Sequence, residues 1–134
     1  VGQAKRVVGF DPFVVDNPHR NGNRILQILR ENPHIRCYVL STGRVGGKDG
    51  ANITPQVTFA CIEGILRDTL KWTYDDVLGY EVPEALPLPD PEQYQPRTHL
   101  TQEEYVATIT ALRKERKTHL EKFSGLAPEI LAAL

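Results

Sequence analysis

The stretch from Ile35 to Val57, IRCYVLSTGRVGGKDGANITPQV, carries the main fold signals of the chain. It opens with a β-branched and aromatic run, Ile35 to Ser41, which predicts a strand. Thr54 and Pro55 follow a glycine-rich connection, and a capping residue before a first-turn proline predicts a helix. The connection therefore leads to a helix N-terminus, where free N–H groups and the helix dipole favour anions.

The glycine-rich connection is close to a phosphate-binding loop but departs from it at two positions. That template, G-x-x-x-x-G-K-[S/T], has four residues between its glycines and a hydroxyl after its lysine. Gly43 and Gly47 are separated by three residues, and Lys48 is followed by Asp49. Two interpretations stay open: a nucleotide or other phosphate ligand, or a flexible hairpin-like loop with two surface cations, Arg44 and Lys48.

The residues before this stretch predict a helix between two strands. Phe13 to Asp16 is β-branched and aromatic and predicts the first strand. Asn17 and Pro18 then open a helix, which we expect to end at Asn32, because the residue before a proline avoids the α region. The order strand, helix, strand predicts a βαβ unit with parallel strands.

The residues after Val57 extend the α/β pattern. The second helix is expected to run to about Leu70. Its buried face is expected to be formed by Val57, Cys61 and Ile65, with Ile62 and Leu66 as further candidates. Two short strands follow, at Trp72 to Tyr74 and at Val77 to Val82.

The last part of the chain begins with a proline-rich segment, Glu84 to Leu100, which we expect to be extended and without helix. Thr101 and Glu104 form a capping box at the start of a long amphipathic helix. Ser124 and Gly125 are expected to stop that helix. A short helix from Pro128 to Leu134 follows.

Together these elements predict an α/β fold with a small mixed sheet and packed helices. The strands of that sheet are those near residues 13, 36, 72 and 78. The whole of residues 1–134 is interpreted as a single domain or fragment. It comprises a βαβ-type unit at 1–83, a proline-rich crossing segment at 84–100 and C-terminal helices at 101–134.

Composition limits the classes of partner. With 134 residues the chain fits one domain with a real core. Its net charge of −1 gives no electrostatic reason to expect nucleic acid. Its apolar runs are far shorter than the ~20 residues of a membrane span. Its two cysteines give no sign of an oxidising compartment, so the cytoplasm is the expected location. The chain starts at Val1 and contains no methionine, which favours a piece of a longer protein.

The other reactive side chains are interpreted as structural or surface groups. Cys37 and Cys61 lie in apolar runs and are expected to be buried. Asp75 and Asp76 are adjacent, which favours a turn or a solvated edge over a paired carboxylate site. Four histidines lack partners at metal-ligand spacing: His19, His34, His99 and His119. His19 and His34 flank one helix and are expected at the surface. Four basic residues are expected on a solvated helix face: Arg113, Lys114, Arg116 and Lys117.

An ordered series of motifs resembles the late segment of ATP-dependent phosphoenolpyruvate carboxykinases. DPFVVDNPHRNGNRILQILRENPHIRCYVLSTGR is similar to the family's strand, histidine-proline turn, helix and Y-L-V-N-T-G-W-like strand. GGKDGANITPQVTFACIEGILRD resembles its glycine-rich stretch, K-R-I-S-I-x-x-T-R motif and apolar helix. LGYEVPEALP and YQPRTHLTQEEY resemble its V-P strand end and its D-P-R segment. The resemblance covers nearly the whole chain.

The resemblance implies that the chain forms part of the adenine and ribose side of an ATP pocket. The family's Arg-Ile pair falls on Asn52 and Ile53, and its threonine falls on Thr58. Asn52 departs from the pattern and lacks a guanidinium's charge and fork of donors. The resemblance therefore leaves Arg44, where the family has tryptophan, and Lys48 as cations that could compensate.

The resemblance also implies what this chain does not hold. The parent reaction converts oxaloacetate and ATP to phosphoenolpyruvate, CO2 and ADP, and the family's P-loop and its Mg²⁺ or Mn²⁺ ligands lie upstream. We therefore expect no catalysis by the chain alone and an upstream domain of the same polypeptide as its partner. Dimerisation through an exposed apolar face is a second expectation. The alternative is a divergent carboxykinase-like domain with a structural or interaction role and no ATP chemistry.

Overall fold

The computed structural model describes residues 17–47 and 50–134. They form five α-helices and two separate two-stranded antiparallel sheets. By their contacts they divide into two compact units, 17–37 with 111–134 and 38–47 with 50–110. The mixed α/β composition agrees with the sequence.

The elements have the following bounds. The helices are α1 Pro18–Glu31, α2 Pro55–Leu66, α3 Pro96–His99, α4 Gln102–Leu120 and α5 Pro128–Ala132. The strands are β1 Arg44–Val45, β2 Ala51–Asn52, β3 Trp72–Asp75 and β4 Tyr80–Pro83, and a 3₁₀ helix spans Pro91–Tyr94.

Helix α1 begins and ends where the sequence predicts. Asn17 precedes it, although its side chain makes no capping hydrogen bond. At the other end the backbone N–H and the side-chain amide of Asn32 donate to the Ile28 carbonyl at 3.0 and 2.9 Å. These bonds satisfy a carbonyl that the ending helix would otherwise leave without a partner.

Asn23 of α1 joins this helix to the turn after α4. Its amide nitrogen donates to the Gly125 carbonyl at 2.7 Å, and its amide oxygen accepts from the Ala127 N–H at 2.8 Å. An ion pair of 2.6 Å between Arg30 and Glu129 adds a contact to α5. This unit is therefore held by hydrogen bonds to backbone groups far along the chain.

The predicted strand from Ile35 to Ser41 is wrong. These residues form no strand, and within the described residues no other segment pairs with them. The predicted first strand, Phe13 to Asp16, lies outside the described residues. A β-branched run becomes a strand only when a neighbour completes its hydrogen-bond ladder, so the sequence pattern alone was insufficient.

The predicted single mixed sheet is also wrong, and the structure has two antiparallel hairpins in its place. β1 pairs with β2, and β3 pairs with β4, with no ladder between the two hairpins. The strands predicted near residues 72 and 78 are confirmed as β3 and β4. Gly79, at a φ of 73°, makes their tight connection, and its N–H donates to the Asp75 carbonyl at 2.7 Å.

Helix α2 starts as predicted and ends earlier. Thr54 caps it by accepting from the Val57 N–H at 3.5 Å. The helix ends at Leu66 rather than near Leu70, because Asp68 adopts a left-handed conformation with a φ of 53°. The N–H of Thr69 then donates to the Gly64 carbonyl at 3.0 Å, which closes the helix end.

The proline-rich segment is not free of helix, contrary to the prediction. Pro91 opens the 3₁₀ helix and Pro96 opens α3. A proline blocks the interior of a helix but fits its first turn, where its missing N–H has no intrahelical partner to lose. Pro91 and Pro96 both take that first-turn position.

The capping box at the start of α4 is confirmed. Thr101 Oγ1 accepts from the Glu104 N–H at 3.2 Å, and Glu104 Oε2 accepts from the Thr101 N–H at 2.9 Å. The helix ends at Leu120, before the predicted stop at Ser124 and Gly125. The predicted final helix is confirmed as α5.

Few apolar side chains are buried in the described part of the chain. Val57, Tyr105 and Leu126 are 5%, 3% and 7% exposed. Leu66 and Val39, by contrast, are 80% and 91% exposed. The chain thus leaves much apolar surface in water. Across residues 17–47 and 50–134, no helix has the length and apolar character needed to cross a membrane.

Candidate functional site

The glycine-rich connection forms a β-hairpin, which agrees with the second interpretation of its sequence. Arg44 pairs with Asn52 and Val45 with Ala51 in antiparallel register. Gly46 and Gly47 enter the turn with φ angles of 85° and 73°, which other residues rarely adopt. We call residues 43–47 and 50–53 the glycine hairpin.

The structure brings two of the predicted site residues into direct contact. Arg44 Nε donates to Asn52 Oδ1 at 3.0 Å across the hairpin. Both side chains are exposed. A guanidinium carries five N–H donors, so this bond orients the group while using one of them. Asn52, which stands where the family motif has arginine, is therefore bonded to the guanidinium of Arg44 on the opposite strand.

Ile53 and Thr58 lie on either side of the first residues of α2. The Ile53 N–H donates to the Gly43 carbonyl at 2.9 Å and closes the glycine hairpin. Thr58 Oγ1 donates to the Thr54 carbonyl at 3.4 Å within the helix. Both residues are half-buried. Lys48, the fifth predicted site residue, lies outside the described residues.

His99 of α3 lies against the turn of the glycine hairpin. A Cβ placed on Gly46 would come within 2.5 Å of both Cγ and Nδ1 of the imidazole. The ring is held on its other side, where Nε2 is 2.7 Å from the Gln93 carbonyl oxygen. The sequence showed only that His99 lacks a partner at metal-ligand spacing, and it gave no sign of this contact.

Comparison with known proteins adds the family context. No protein-family model matches the chain. A phosphoenolpyruvate carboxykinase (ATP) of Aeropyrum pernix is 24% identical over 122 residues, which cover 91% of this chain. Proteins of the same name from Nitrobacter hamburgensis and a Bradyrhizobium species are 26% and 29% identical over 91% and 85% of the chain.

The chain fits a fragment of the ATP-dependent phosphoenolpyruvate carboxykinase family. The resemblance inferred from its motifs is thereby confirmed. The chain spans about a quarter of the length of these carboxykinases, 24% and 25% of the first two. Most of the length of a carboxykinase thus has no counterpart here.

The described part of this carboxykinase-like chain holds no cluster of three histidine, cysteine or acidic residues able to bind a metal ion. The two cysteines are free thiols. Cys37 is exposed, so the prediction that it is buried is wrong, because the strand expected to contain it does not form. Cys61 in α2 is half-buried, and burial raises the pKa of its thiol.

A densely bonded polar cluster within the described residues was missed by the sequence interpretation. Asp75 lies at the β3–β4 turn, as predicted, and the side chain of Asp76 is 84% exposed. Asp75 itself is only 7% exposed, so it is not solvated. Its Oδ1 accepts from the N–H groups of Val77 and Leu78, both at 2.9 Å. Its Oδ2 accepts from the Tyr105 hydroxyl at 2.9 Å and from Arg97 Nε and Nη2 at 3.1 and 3.0 Å.

Further contacts complete this Asp75–Arg97–Tyr105 cluster. The Arg97 guanidinium lies over the Tyr105 ring, 4.3 Å from its centre, an arrangement that favours a cation. Burial by itself raises the pKa of Asp75, but the bonds from Leu78, Tyr105, Arg97 and Val77 outweigh it and lower that pKa below its ordinary value. Burial, together with the bond to Asp75, raises the pKa of Tyr105 to about 12.

The cluster ties together the β3–β4 hairpin, α3 and the first turn of α4. The Asp75 carboxylate accepts from backbone and side-chain groups of the protein, and no buried side-chain polar atom in the described residues lacks a partner. Its role is therefore to fix the fold. The one sequence sign of this cluster was Arg97 in QPRTHL, a segment that the sequence had marked only by its resemblance to the family's D-P-R motif.

Proposed function

We propose that this chain contributes the adenine and ribose side of an ATP pocket in a phosphoenolpyruvate carboxykinase-like protein. The relatives are named as ATP-dependent enzymes, and the parent reaction would convert oxaloacetate and ATP to phosphoenolpyruvate, CO2 and ADP. The residues proposed to line the nucleotide are Asn52, Ile53, Thr58, Arg44 and Lys48. Mg²⁺ or Mn²⁺ would be bound by residues upstream of this chain.

The observation that carries the proposal is the bond of 3.0 Å between Arg44 and Asn52. Asn52 stands where the family resemblance predicts arginine, and an amide supplies neither the charge nor the fork of donors. Arg44 is its cross-strand partner. The guanidinium is thus supplied from the opposite strand of the same hairpin, which is how nucleotide binding would survive the substitution.

The position of the glycine hairpin before α2 supports the same proposal. Its closing bond from the Ile53 N–H to Gly43 precedes Thr54, the capping residue of α2. Phosphates and other anions are favoured at such a helix start. We therefore place the polar part of the nucleotide near Arg44 and its apolar part near Ile53.

Titration with ATP and AMP tests the proposal directly. Both nucleotides are expected to shift the backbone amide signals of Ile53 and Thr58 at millimolar concentration, because they share the adenosine. Arg44→Ala should weaken both titrations. Arg67→Ala is the matched control, since Arg67 is an exposed arginine at the other end of α2, paired with Glu63 at 2.7 Å.

The opposite result has a defined meaning. If neither nucleotide shifts these amides in the chain or in a longer polypeptide that contains it, the nucleotide proposal fails. The chain would then be a divergent carboxykinase-like domain with a structural or interaction role.

We further propose that the chain has no carboxykinase activity by itself. Phosphoryl transfer requires the phosphates, the metal and the attacking group to be positioned together. The sequence contains no complete G-x-x-x-x-G-K-[S/T] motif. Formation of phosphoenolpyruvate from oxaloacetate and ATP by the purified chain would overturn this proposal.

The exposed apolar surface supports a covering partner, and we propose an upstream domain of the same polypeptide. Val39, Phe59 and Leu66 are 91%, 68% and 80% exposed, and the relatives are about four times longer than the chain, which covers 24% of the first. Sedimentation distinguishes this from self-association. A monomeric chain whose exposed apolar residues become buried in a longer polypeptide supports the proposal. A dimer that forms as the concentration rises supports pairing of two copies.

A further inference from the structure

The turn of the glycine hairpin is packed against an imidazole that the proposed nucleotide contacts do not include. His99 covers the place where Gly46 would carry a Cβ, with Cγ and Nδ1 both 2.5 Å from that position and Cδ2 at 2.8 Å. Gly46 also has a φ of 85°. Gly46 is therefore required for two separate reasons: its left-handed backbone and the space taken by the ring.

The imidazole is itself fixed by the segment before it. Nε2 lies 2.7 Å from the Gln93 carbonyl oxygen, and since a carbonyl oxygen only accepts, Nε2 donates its proton there. Gln95, two residues further on, donates through Nε2 to the carbonyls of Pro83 and Glu84 at 3.2 and 3.4 Å. The ring is thus anchored to a segment that is bonded to the end of β4.

We propose that His99 is a positioning residue for the glycine hairpin. By packing on Gly46 and bonding to Gln93, it attaches the turn of this hairpin to the segment of residues 91–99. The two-residue strands β1 and β2 give the hairpin a short ladder, and isolated hairpins are marginal in water. The contact with His99 supplies the missing constraint and sets where Arg44 and Asn52 are presented.

The effect of His99 on nucleotide affinity rests on the proposed function, whereas its effect on the hairpin does not. Two measurements separate them. Amide hydrogen exchange at Ile53, whose N–H closes the hairpin, reports how readily the hairpin opens in the absence of nucleotide. The Glu84 N–H, which donates to the Lys71 carbonyl at 2.9 Å beside the other hairpin, is the internal reference.

Three glycines of the hairpin form a graded series of variants. Gly43 has no atom within 4 Å of a Cβ position and no left-handed φ, Gly47 has a φ of 73° with the same open space, and Gly46 has both constraints. Gly43→Ala should leave Ile53 exchange unchanged. Gly47→Ala should speed it roughly tenfold, the cost of a left-handed alanine. Gly46→Ala should speed it further, because the ring must also move.

The decisive experiment combines Gly46→Ala with His99→Ala. If the imidazole is the obstacle, Gly46→Ala in the His99→Ala background should speed Ile53 exchange only as much as Gly47→Ala does. His99→Phe, which keeps a ring but loses the bond to Gln93, should loosen the hairpin less than His99→Ala. Equal effects of Gly46→Ala and Gly47→Ala in the unmodified protein would overturn the proposal. So would a Gly46→Ala effect that is the same in both backgrounds.

The nucleotide measurement then tests the consequence for binding. His99→Ala should weaken ATP binding together with faster Ile53 exchange, and His99→Phe should restore part of both. Unchanged ATP affinity in His99→Ala, with exchange accelerated, would overturn its role in positioning the nucleotide site. Absence of ATP binding in the unmodified protein, with the exchange series as expected, would refute the proposed function and leave His99 as the residue that fixes the hairpin.

Discussion

Replacement of Asp75 by alanine should be among the most destabilising single substitutions in this chain. The carboxylate accepts from two backbone N–H groups, the Tyr105 hydroxyl and two nitrogens of Arg97 at 2.9–3.1 Å. It is also 7% exposed. Alanine removes every acceptor at once, from the part-buried N–H groups of Val77 and Leu78 and from the buried Tyr105 hydroxyl.

The magnitude follows from those orphaned donors. Each buried polar group without a partner costs about 1–3 kcal/mol, which would give a sum of at least about 3 kcal/mol for the three. The Arg97 side chain is 40% exposed, so water can reach the space and limit the total. We therefore expect a loss of about 3 kcal/mol in the free energy of unfolding, the low end of that sum.

Urea unfolding of three variants measures this expectation. Asp76→Ala is the matched control, because that neighbouring carboxylate is 84% exposed and its ion pair with Arg97, at 3.3 Å, lies in water. Its effect should stay within roughly 0.5 kcal/mol. Tyr105→Phe removes one hydroxyl bond and should cost about 1 kcal/mol. If Asp75→Ala costs no more than Asp76→Ala, the cluster does not stabilise the fold and the reasoning is refuted.

The pH dependence of stability provides a second readout of the same carboxylate. Its pKa is lowered in the folded protein from an ordinary value of 3.8. The stabilisation is therefore complete above that value and is lost as the pH falls through the lower folded pKa. Asp75→Asn should remove this component of the acid dependence below about pH 4, while a variant at Asp76 should retain it.

Four further outcomes can be measured. In an ultraviolet titration of the tyrosines, Tyr105 should ionise at about pH 12, well after an ordinary tyrosine; loss of this late step in Tyr105→Phe identifies it, and its persistence would contradict the assignment. The stability linked to Tyr105 should be complete below about pH 10, the pKa of an ordinary tyrosine. It should be lost as the pH rises through the folded pKa of about 12. With a thiol reagent, exposed Cys37 should react faster than Cys61, whose pKa is raised by burial, and Cys37→Ser should abolish the fast phase rather than the slow one. Thr101→Ala should cost about 1 kcal/mol through loss of the capping bond to the Glu104 N–H, whereas Thr101→Ser should cost much less; equal losses would argue against a capping role.

The helix starts were predictable because their signals are local. Each signal either bonds a free N–H group of the first turn or replaces it with a proline, within four residues of sequence. The pairs are Asn17 with Pro18, Thr54 with Pro55, and Thr101 with Glu104. The order of short motifs also sufficed to indicate the carboxykinase resemblance, since it depends on the sequence alone.

Pairing and burial were decided by residues far apart in the chain. Ile35 to Ser41 has a strand's composition, yet no described segment completes its ladder. Asp75 and Asp76 are neighbours of the same type, and only the packing of Arg97 and Tyr105, 22 and 30 residues away from Asp75, makes one buried and leaves the other in water. The Arg44–Asn52 bond and the contact of His99 with Gly46 depend in the same way on folded geometry. A sequence specifies local backbone preferences directly, whereas contacts between distant residues form only when several weak preferences are satisfied together.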